Sequence, residues 1–349
     1  MEFLKETVKV EFLNPLRGFK RETKPIEYRS DPLTGYRSRI SLDRAKRVKQ
    51  AQKIKINVSD IVSHSADGCY FCRENIDGAT SKFVAEILSE NTDGRITVGQ
   101  SILFPNLYPF AEHHAVATIT DCHYLELDEF TPDMIVDNLT AVQKYTVSIR
   151  KYDAGARYPA WIWNYLPPSG ASIIHPHVQI ALERTPMPEL ADLLSESEGY
   201  LRDTGANFWQ ELIAIEKESG DRFIGENASV AVIATFSPRG NRDVQIISKR
   251  VSGIADFDEK HVRDFADAVV RVLHGYKKMG INSFNLVTYS AAIDEHPGHF
   301  RFSARMISRP VFQSLYTNDS GPMERFYGVS IIEAVPEQVA SDMRKCFEY

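Results

Sequence analysis

Between Asn164 and Gln179 the chain reads N-Y-L-P-P-S-G-A-S-I-I-H-P-H-V-Q, a Gly/Ser/Pro-rich turn feeding two histidines one residue apart. Read as a buried strand, alternation sets His175 and His177 on one face. The turn before them offers backbone N–H groups, the Ser172 hydroxyl and the Asn164 amide to an anion. A neutral imidazole is a competent nucleophile near neutral pH and leaves well once protonated, so His177 is suited to accept a nucleotidyl group and pass it on. Ser172, the Gly170 backbone and Gln179, which shares the strand face of His177, are the candidate donors to the non-bridging phosphate oxygens. With no base nearby, a leaving group of low pKa, such as a sugar phosphate or pyrophosphate, fits better than an alcohol. The plainer alternative is a half-buried strand with two satisfied histidines, and the neighbouring residues weigh against it.

A second constellation begins at Cys69-Tyr70-Phe71-Cys72, whose spacing lets both thiolates reach one tetrahedral zinc that needs two further ligands. His123 and His175 are the candidates to complete a closed Cys2His2 set, which would make the metal structural; His64, His113 and His114 compete with them. Ligation by His175 would tie the chain two residues before His177 and so set where that imidazole points. Cys122 and Cys346 read as plain thiols, since four cysteines in 349 residues do not make a disulfide scaffold.

The elements that must hold these residues show in the hydrophobic pattern. R-I-T-V-G-Q-S-I-L-F at 95–104 and A-V-A-T-I-T at 115–120 read as strands; a helix near 131–151 and the strands W-I-W-N and H-P-H-V-Q-I-A-L follow. Thr131 is a candidate N-cap before Pro132, with Ile135, Leu139, Val142 and Ile149 near one helix face. The same order returns after residue 226. It comprises A-S-V-A-V-I-A-T-F at 228–236, D-V-Q-I-I-S-K at 243–249, a helix near 258–279, then S-F-N-L-V-T-Y-S and H-F-R-F-S-A-R-M-I. In that helix Val262, Phe265, Val269 and Leu273 line one side and Gly280 is placed to stop it. The pattern predicts an internal duplication in which only the first copy carries the H-x-H. Residues 184–226 read as a linker with short helices, and residues 1–65 as a wrapping segment of turns, short strands and a basic loop at 43–47. The formal net charge of -6 supplies no overall basic field for nucleic acid. No segment has the apolar length of a membrane span, and the start lacks the basic-then-apolar order of a signal peptide. The expectation is a cytoplasmic enzyme with halves at 1–190 and 191–349.

Taken together, N-x(5)-G-x-S-x-x-H-P-H-x-Q at 164–179, C-x-x-C at 69–72, D-P-L-T-G followed by D-R-A-K-R at 31–47, and F-P-N at 104–106 are far more specific than any one alone. In these motifs the chain resembles the galactose-1-phosphate uridylyltransferase family, a duplicated branch of the histidine-triad superfamily active in galactose metabolism. The resemblance spans most of the chain. It implies an α+β fold of two histidine-triad-like repeats, each an antiparallel sheet with a flanking helix, forming one extended half-barrel-like sheet. It implies a ping-pong reaction in which His177 takes a nucleotidyl group from a nucleotide sugar, releases hexose 1-phosphate and gives the nucleotide to a second phosphate acceptor. By the same carry-over, Arg44 and Arg47 contact the nucleotide, Asn106 the ribose region, Asn164, Gly170 and Ser172 the phosphates, and Gln179 the transferred group. Cys69, Cys72, His123 and His175 fall on the family's zinc positions, and a homodimer is implied.

Three departures bear on substrate. Where many members hold iron through an H-x-H-F strand of the second copy, this chain has F-S-A-R-M-I at 302–307, so no iron is expected. The acidic residue that commonly follows the ribose asparagine is Leu107. The sugar-binding stretch K-F-x-V-G-Y-E corresponds to R-F-Y-G-V-S at 325–330, which keeps Arg325 for an acceptor phosphate but lacks the Tyr-Glu pair that meets the hexose. Related members use phosphate as acceptor and act as nucleotide-sugar or dinucleoside-polyphosphate phosphorylases, transferring AMP, which is the alternative activity. A zinc-supported nucleotide-binding module without turnover is the non-enzymatic one.

Overall fold

A computed structural model describes residues 1–46, 58–88, 93–313 and 316–348. Arg47, one of the nucleotide-contact candidates, lies outside the described residues. The chain opens on a long hairpin, β1 (Lys5–Asn14) and β2 (Lys20–Ser30), followed by β3 (Arg37–Ile40). D-P-L-T-G closes the turn into β3, with the Asp31 carboxylate accepting from the Leu33 and Thr34 N–H groups at 3.0 and 2.9 Å. Helices α1 (Val58–Ala66) and α2 (Ile76–Ala79) lead to the first repeat: β4 (Ile96–Val98), β5 (Ser101–Pro105), β6 (His113–Thr118), α3 (Pro132–Tyr152), β7 (Tyr158–Tyr165) and β8 (His177–Glu183). After α4 (Pro188–Thr204) and α5 (Phe208–Ser219) comes the second: β9 (Phe223–Glu226), β10 (Val230–Ala234), β11 (Asn241–Ser248), α6 (Glu259–Lys278), β12 (Phe284–Tyr289) and β13 (Ser303–Ser308). The chain closes with α7 (Pro322–Phe326), β14 (Ser330–Ile332) and α8 (Pro336–Arg344), β14 lying parallel to β3.

The ten repeat strands form one open antiparallel sheet in the order β4-β5-β6-β8-β7-β12-β13-β11-β10-β9. Each repeat contributes five strands in the same internal order, so a pseudo-twofold axis passes through the β7–β12 seam, where Asn164 pairs with Asn285. The predicted duplication is present, the fold is α+β, and among the described residues no barrel closes.

One helix of each repeat covers the same face of the sheet. Thr131 caps α3 ahead of Pro132, Asp258 caps α6 by accepting from the His261 N–H at 2.7 Å, and Gly280, at φ 76°, ends it. Ile135, Leu139, Val142 and Ile149 of α3 and Val262, Phe265, Val269 and Leu273 of α6 are all buried. They pack against Trp161, Trp163 and Tyr165 of β7, Val178, Ile180 and Leu182 of β8, and Phe284 and Leu286 of β12 in one core that crosses the seam. Because these side chains alternate toward the helices, Asn164, His177 and Gln179 are left on the opposite face.

Two expectations differ in detail. The run 95–104 is a tight hairpin, β4 and β5, because Gly99 turns at φ 52°, where a Cβ would also run into the Asp137 carboxylate. The stretch 184–226 is a packed layer: Leu190, Leu193, Phe208, Trp209 and Leu212 of α4 and α5 bury against Ile233, Ile247 and Phe300 on the second repeat.

His261 in α6 is 1 % exposed, stacks on Phe257 at 4.2 Å, and neither ring nitrogen has a hydrogen-bond partner among the described residues. Burial pulls its pKa down to about 4, against partial opposition from Asp258. The folded state therefore binds this proton less readily than the unfolded chain, so the contribution to stability is full above about pH 6.5 and is lost as pH falls toward 4. His261→Phe is expected to remove about 2 kcal/mol of the stability loss between pH 7 and pH 5, read as the difference between urea-unfolding free energies at the two pH values. Equal pH slopes for the variant and parent refute this.

Candidate active site and metal centre

The metal cluster assembles from three separate segments. Cys69 and Cys72 lie in the turn just before α2, where Asn75 Nδ2 donates to the Cys69 carbonyl at 3.0 Å and the Asn75 and Ile76 N–H groups donate to the Cys72 carbonyl. Arg95, 3 % exposed, braces this loop by donating to the Thr80 hydroxyl and to the carbonyls of Ile76, Asp77 and Thr80. Cys69, Cys72, His123 and His175 then present four donor atoms all within 4.8 Å of one another. His64, His113 and His114 stand outside this set. His123 lies five residues past the end of β6, and His175 two before the start of β8, off the strand on which the sequence pattern set it.

The donor set fits a tetrahedral metal. His175 Nε2–H donates to the Thr120 carbonyl at 2.8 Å, which leaves the Nδ1 lone pair facing Cys72 Sγ at 3.6 Å. Ser65 spends its proton on the Val62 carbonyl, so His123 Nε2–H donates to the Ser65 oxygen at 2.8 Å and its Nδ1 faces the same sulfur at 3.4 Å. Bonds of about 2.3 Å to sulfur and 2.0–2.1 Å to nitrogen give a tetrahedral S···N edge of roughly 3.6 Å. Without an ion the Cys72 thiol stays protonated, because burial, with Cys69 alongside, pushes it up to about 12.

His177 opens β8, and its Nδ1–H donates to the His175 carbonyl at 2.7 Å. The imidazole tautomer is thereby set, with the lone pair on Nε2. Burial lowers its pKa, partly opposed by that hydrogen bond, so the ring is neutral near pH 7. Phe71, from the middle of the cysteine loop, stands edge-on to the ring at 5.2 Å. A cleft of about 490 Å³ opens alongside, lined by Cys69, Tyr70, His123, Ser172, Phe312 and Tyr316 among others. His177 itself is 7 % exposed and is not among the residues lining this cleft.

The turn before His177 differs from expectation at Gly170. Its N–H donates to the Pro167 carbonyl and that of Ser169 to the Leu166 carbonyl, so neither is free for a phosphate. The N–H groups of residues 171–174 have no acceptor among the described residues, and Ser172 is exposed to the cleft. Leu166, buried and at φ 66°, ψ 160°, holds a backbone conformation that costs a non-glycine residue about 1–3 kcal/mol, and thereby redirects the chain from β7 into this turn.

Gln179 is oriented by His114, which the sequence offered only as a competing metal ligand. The Phe110 N–H donates to His114 Nδ1 at 3.1 Å, so His114 Nε2–H donates to Gln179 Oε1 at 3.0 Å and the Gln179 NH2 is left for the site. The signal lay in alternation, since Val116 and Thr118 of β6 pair with Gln179 and His177, and His114 shares their face. Asn106 sits just beyond β5, its N–H on the His114 carbonyl at 2.9 Å and its Oδ1 accepting from Tyr108. Leu107, Tyr108 and Phe110 after it are exposed. Asn164 comes level with His177 when the register pairing Ile162 with Gln179 is carried two residues further.

Arg44 and Arg325 are not brought to this cluster by the chain itself. Both are exposed; Arg44 follows β3 and Arg325 precedes β14, so the parallel β3–β14 pair sets them at opposite ends of the small sheet. In the second repeat, the face equivalent to that of His177 carries Arg305 and Asp243, buried and 3.4 Å apart, beneath α4 and α5.

No family model matches the sequence. An uncharacterized protein of Archaeoglobus fulgidus is 29 % identical over 346 residues, covering 99 % of this chain and 98 % of that protein. An ADP-glucose phosphorylase from Arabidopsis thaliana, solved with ADP-glucose bound, superposes with a TM-score of 0.71 at 20 % identity over 92 % of this chain and 99 % of its own. A GalT-like protein from Arabidopsis thaliana gives 0.68 at 19 % identity, and a uridylyltransferase 0.65 at 18 %, each over 92 % of this chain and 98 % of the other. The chain therefore has the galactose-1-phosphate uridylyltransferase-like fold, shared with ADP-glucose phosphorylase and uridylyltransferase enzymes, and its motif residues resemble that family's.

Proposed function

We propose that this chain is a nucleotidyltransferase that carries the nucleotide covalently on His177. The observation that supports it most is the tautomer: Nδ1–H is engaged by the His175 carbonyl, so Nε2 alone is available, beside the free amide hydrogens of Gln179 and Asn164. The Nε2 lone pair attacks the α-phosphorus of a nucleotide sugar; the bond from that phosphorus to the bridging oxygen breaks, and hexose 1-phosphate departs with the electron pair. The Nδ1 proton stays shared with the His175 carbonyl and steadies the cationic ring. A phosphate oxygen of the second substrate then attacks the same phosphorus and restores neutral His177. Gln179, Asn164, Ser172 and the free N–H groups of 171–174 hold the charge of the phosphoryl oxygens. Cys69, Cys72, His123 and His175 hold a structural zinc that braces the turn before the nucleophile.

Residues 1–190 form the catalytic half and 191–349 the acceptor side, in a cytoplasmic homodimer in which Arg325 serves the partner's acceptor phosphate and Arg44 and Arg47 the nucleotide. The leading reaction is uridylyl transfer between UDP-glucose and a hexose 1-phosphate. A second reading, adenylyl transfer to inorganic phosphate, is favoured by the missing Tyr-Glu pair in 325–330, which leaves the hexose without its usual contacts. Mass spectrometry of the protein after exposure to UDP-glucose, ADP-glucose or a diadenosine polyphosphate tests both, because the added mass names the base. Discharge of the adduct by hexose 1-phosphate or by phosphate then names the acceptor. A protein that binds these donors yet forms no adduct with any of them is a binding module instead.

A further inference from the structure

The Asn164 carboxamide is governed by residues of the other repeat. Arg309 has only donors, so its Nη1 donates to Asn285 Oδ1 at 2.9 Å, and this settles which end of the Asn285 amide is nitrogen. Asn285 Nδ2 in turn donates to Asn164 Oδ1 at 2.6 Å and to the Ser169 carbonyl at 2.9 Å. With its oxygen taken, Asn164 can offer the site only its NH2, for which the described residues provide no acceptor. Arg309 is itself fixed by Asp319 at 2.7 Å, and Asn285 lies directly opposite Asn164 across the β12–β7 seam. Gln179 is oriented in the same sense by the Phe110–His114 pair, so two carboxamides flank His177 with their nitrogens outward.

We propose that Arg309 and Asn285 are positioning residues, locking the Asn164 amide so that its N–H groups meet the non-bridging oxygens of the phosphate under attack. This inference rests on the nucleotidyl-transfer reading. Nothing in it requires the second repeat to touch substrate; it acts through the choice between two amide orientations that an unassisted asparagine would sample.

The test is the rate of adduct formation on His177 in the full-length, metal-loaded protein, with whichever donor labels the parent. Asn285→Asp keeps the shape and the contact with Arg309 but removes both donors. It is expected to slow labelling at saturating donor about 10-fold or more, with half-saturation shifted less than about threefold. Metal content and Tm are expected to stay at parental values. Arg309→Met, which frees Asn285 to turn over, is expected to produce the same loss, so the result does not depend on one variant folding. In the Asn164→Ala background Asn285→Asp is expected to add no further loss, since the relay would have nothing left to orient. Parental labelling rates in both single variants, or losses that multiply with Asn164→Ala, overturn the relay while leaving the transferase reading intact. If the parent itself takes up no nucleotide, the reading falls and the inference with it.

Discussion

His177→Ala is expected to abolish nucleotide transfer, by on the order of 10⁴-fold or more, the scale seen when a covalent nucleophile is removed. The side chain is 7 % exposed and its hydrogen bond runs to its own backbone neighbourhood, so alanine leaves only a small void and no orphaned buried partner beyond one carbonyl. Folding is expected to survive, with the same secondary structure by circular dichroism and the same metal content. His175, two residues away, does not take over, because its Nδ1 is turned toward Cys72 and its Nε2 toward the Thr120 carbonyl. The check is twofold: no adduct on incubation with donors that label the parent, and no exchange of label between donor and released sugar phosphate. Exchange at the parental rate in the alanine variant places the chemistry on another group.

Loss of the metal is expected to act on stability before activity. Structural zinc sites contribute apparent binding free energies of about 10–16 kcal/mol near neutral pH, and the four candidate ligands here would tie together the cysteine loop, the segment after β6 and the turn before β8. Cys69→Ser or prolonged chelation is expected to cost several kcal/mol and lower Tm by well over about 5 °C. Because Phe71 rides on the same loop and stands edge-on to His177, adduct formation is expected to fail as that loop loosens, at temperatures below global unfolding. Metal uptake is also expected to weaken with falling pH, since a thiolate ligand must first give up its proton and burial makes the Cys72 thiol hold its own. Elemental analysis of the purified protein and melts with and without chelator decide it. A metal-free protein with an unchanged melt leaves Cys69 and Cys72 as two buried thiols.

Much of this architecture can be read from residue order because local and global signals agree. The α3 and α6 helices carry caps, an apolar stripe of helical period and a stop, and every stripe residue proves buried. The grouping of Cys69, Cys72, His123 and His175 is legible because sulfur and imidazole at those spacings have few other reasons to coexist. The hairpin β1–β2 escaped notice although T-V-K-V-E-F alternates, because its apolar side chains are not paired with a core: Val8, Val10 and Phe12 remain 37–41 % exposed. Asn285 and Arg309 were invisible for a different reason. Their importance depends on which strand of one repeat abuts which strand of the other, and a seam register is written in no single segment. Gly170 misled because a glycine in a turn can lend its N–H to a ligand or spend it closing the turn, and here Pro167 takes it.

The position of the seam also bears on fragment complementation. A polypeptide ending near residue 190 would leave β7 as a bare margin, with Trp161, Trp163 and Tyr165 stripped of Phe284 and Leu286 and a row of open hydrogen-bonding groups inviting self-association. The 1–190 piece would carry His177 and the Cys/His group on that unsupported margin, whereas co-expressed pieces would restore the seam.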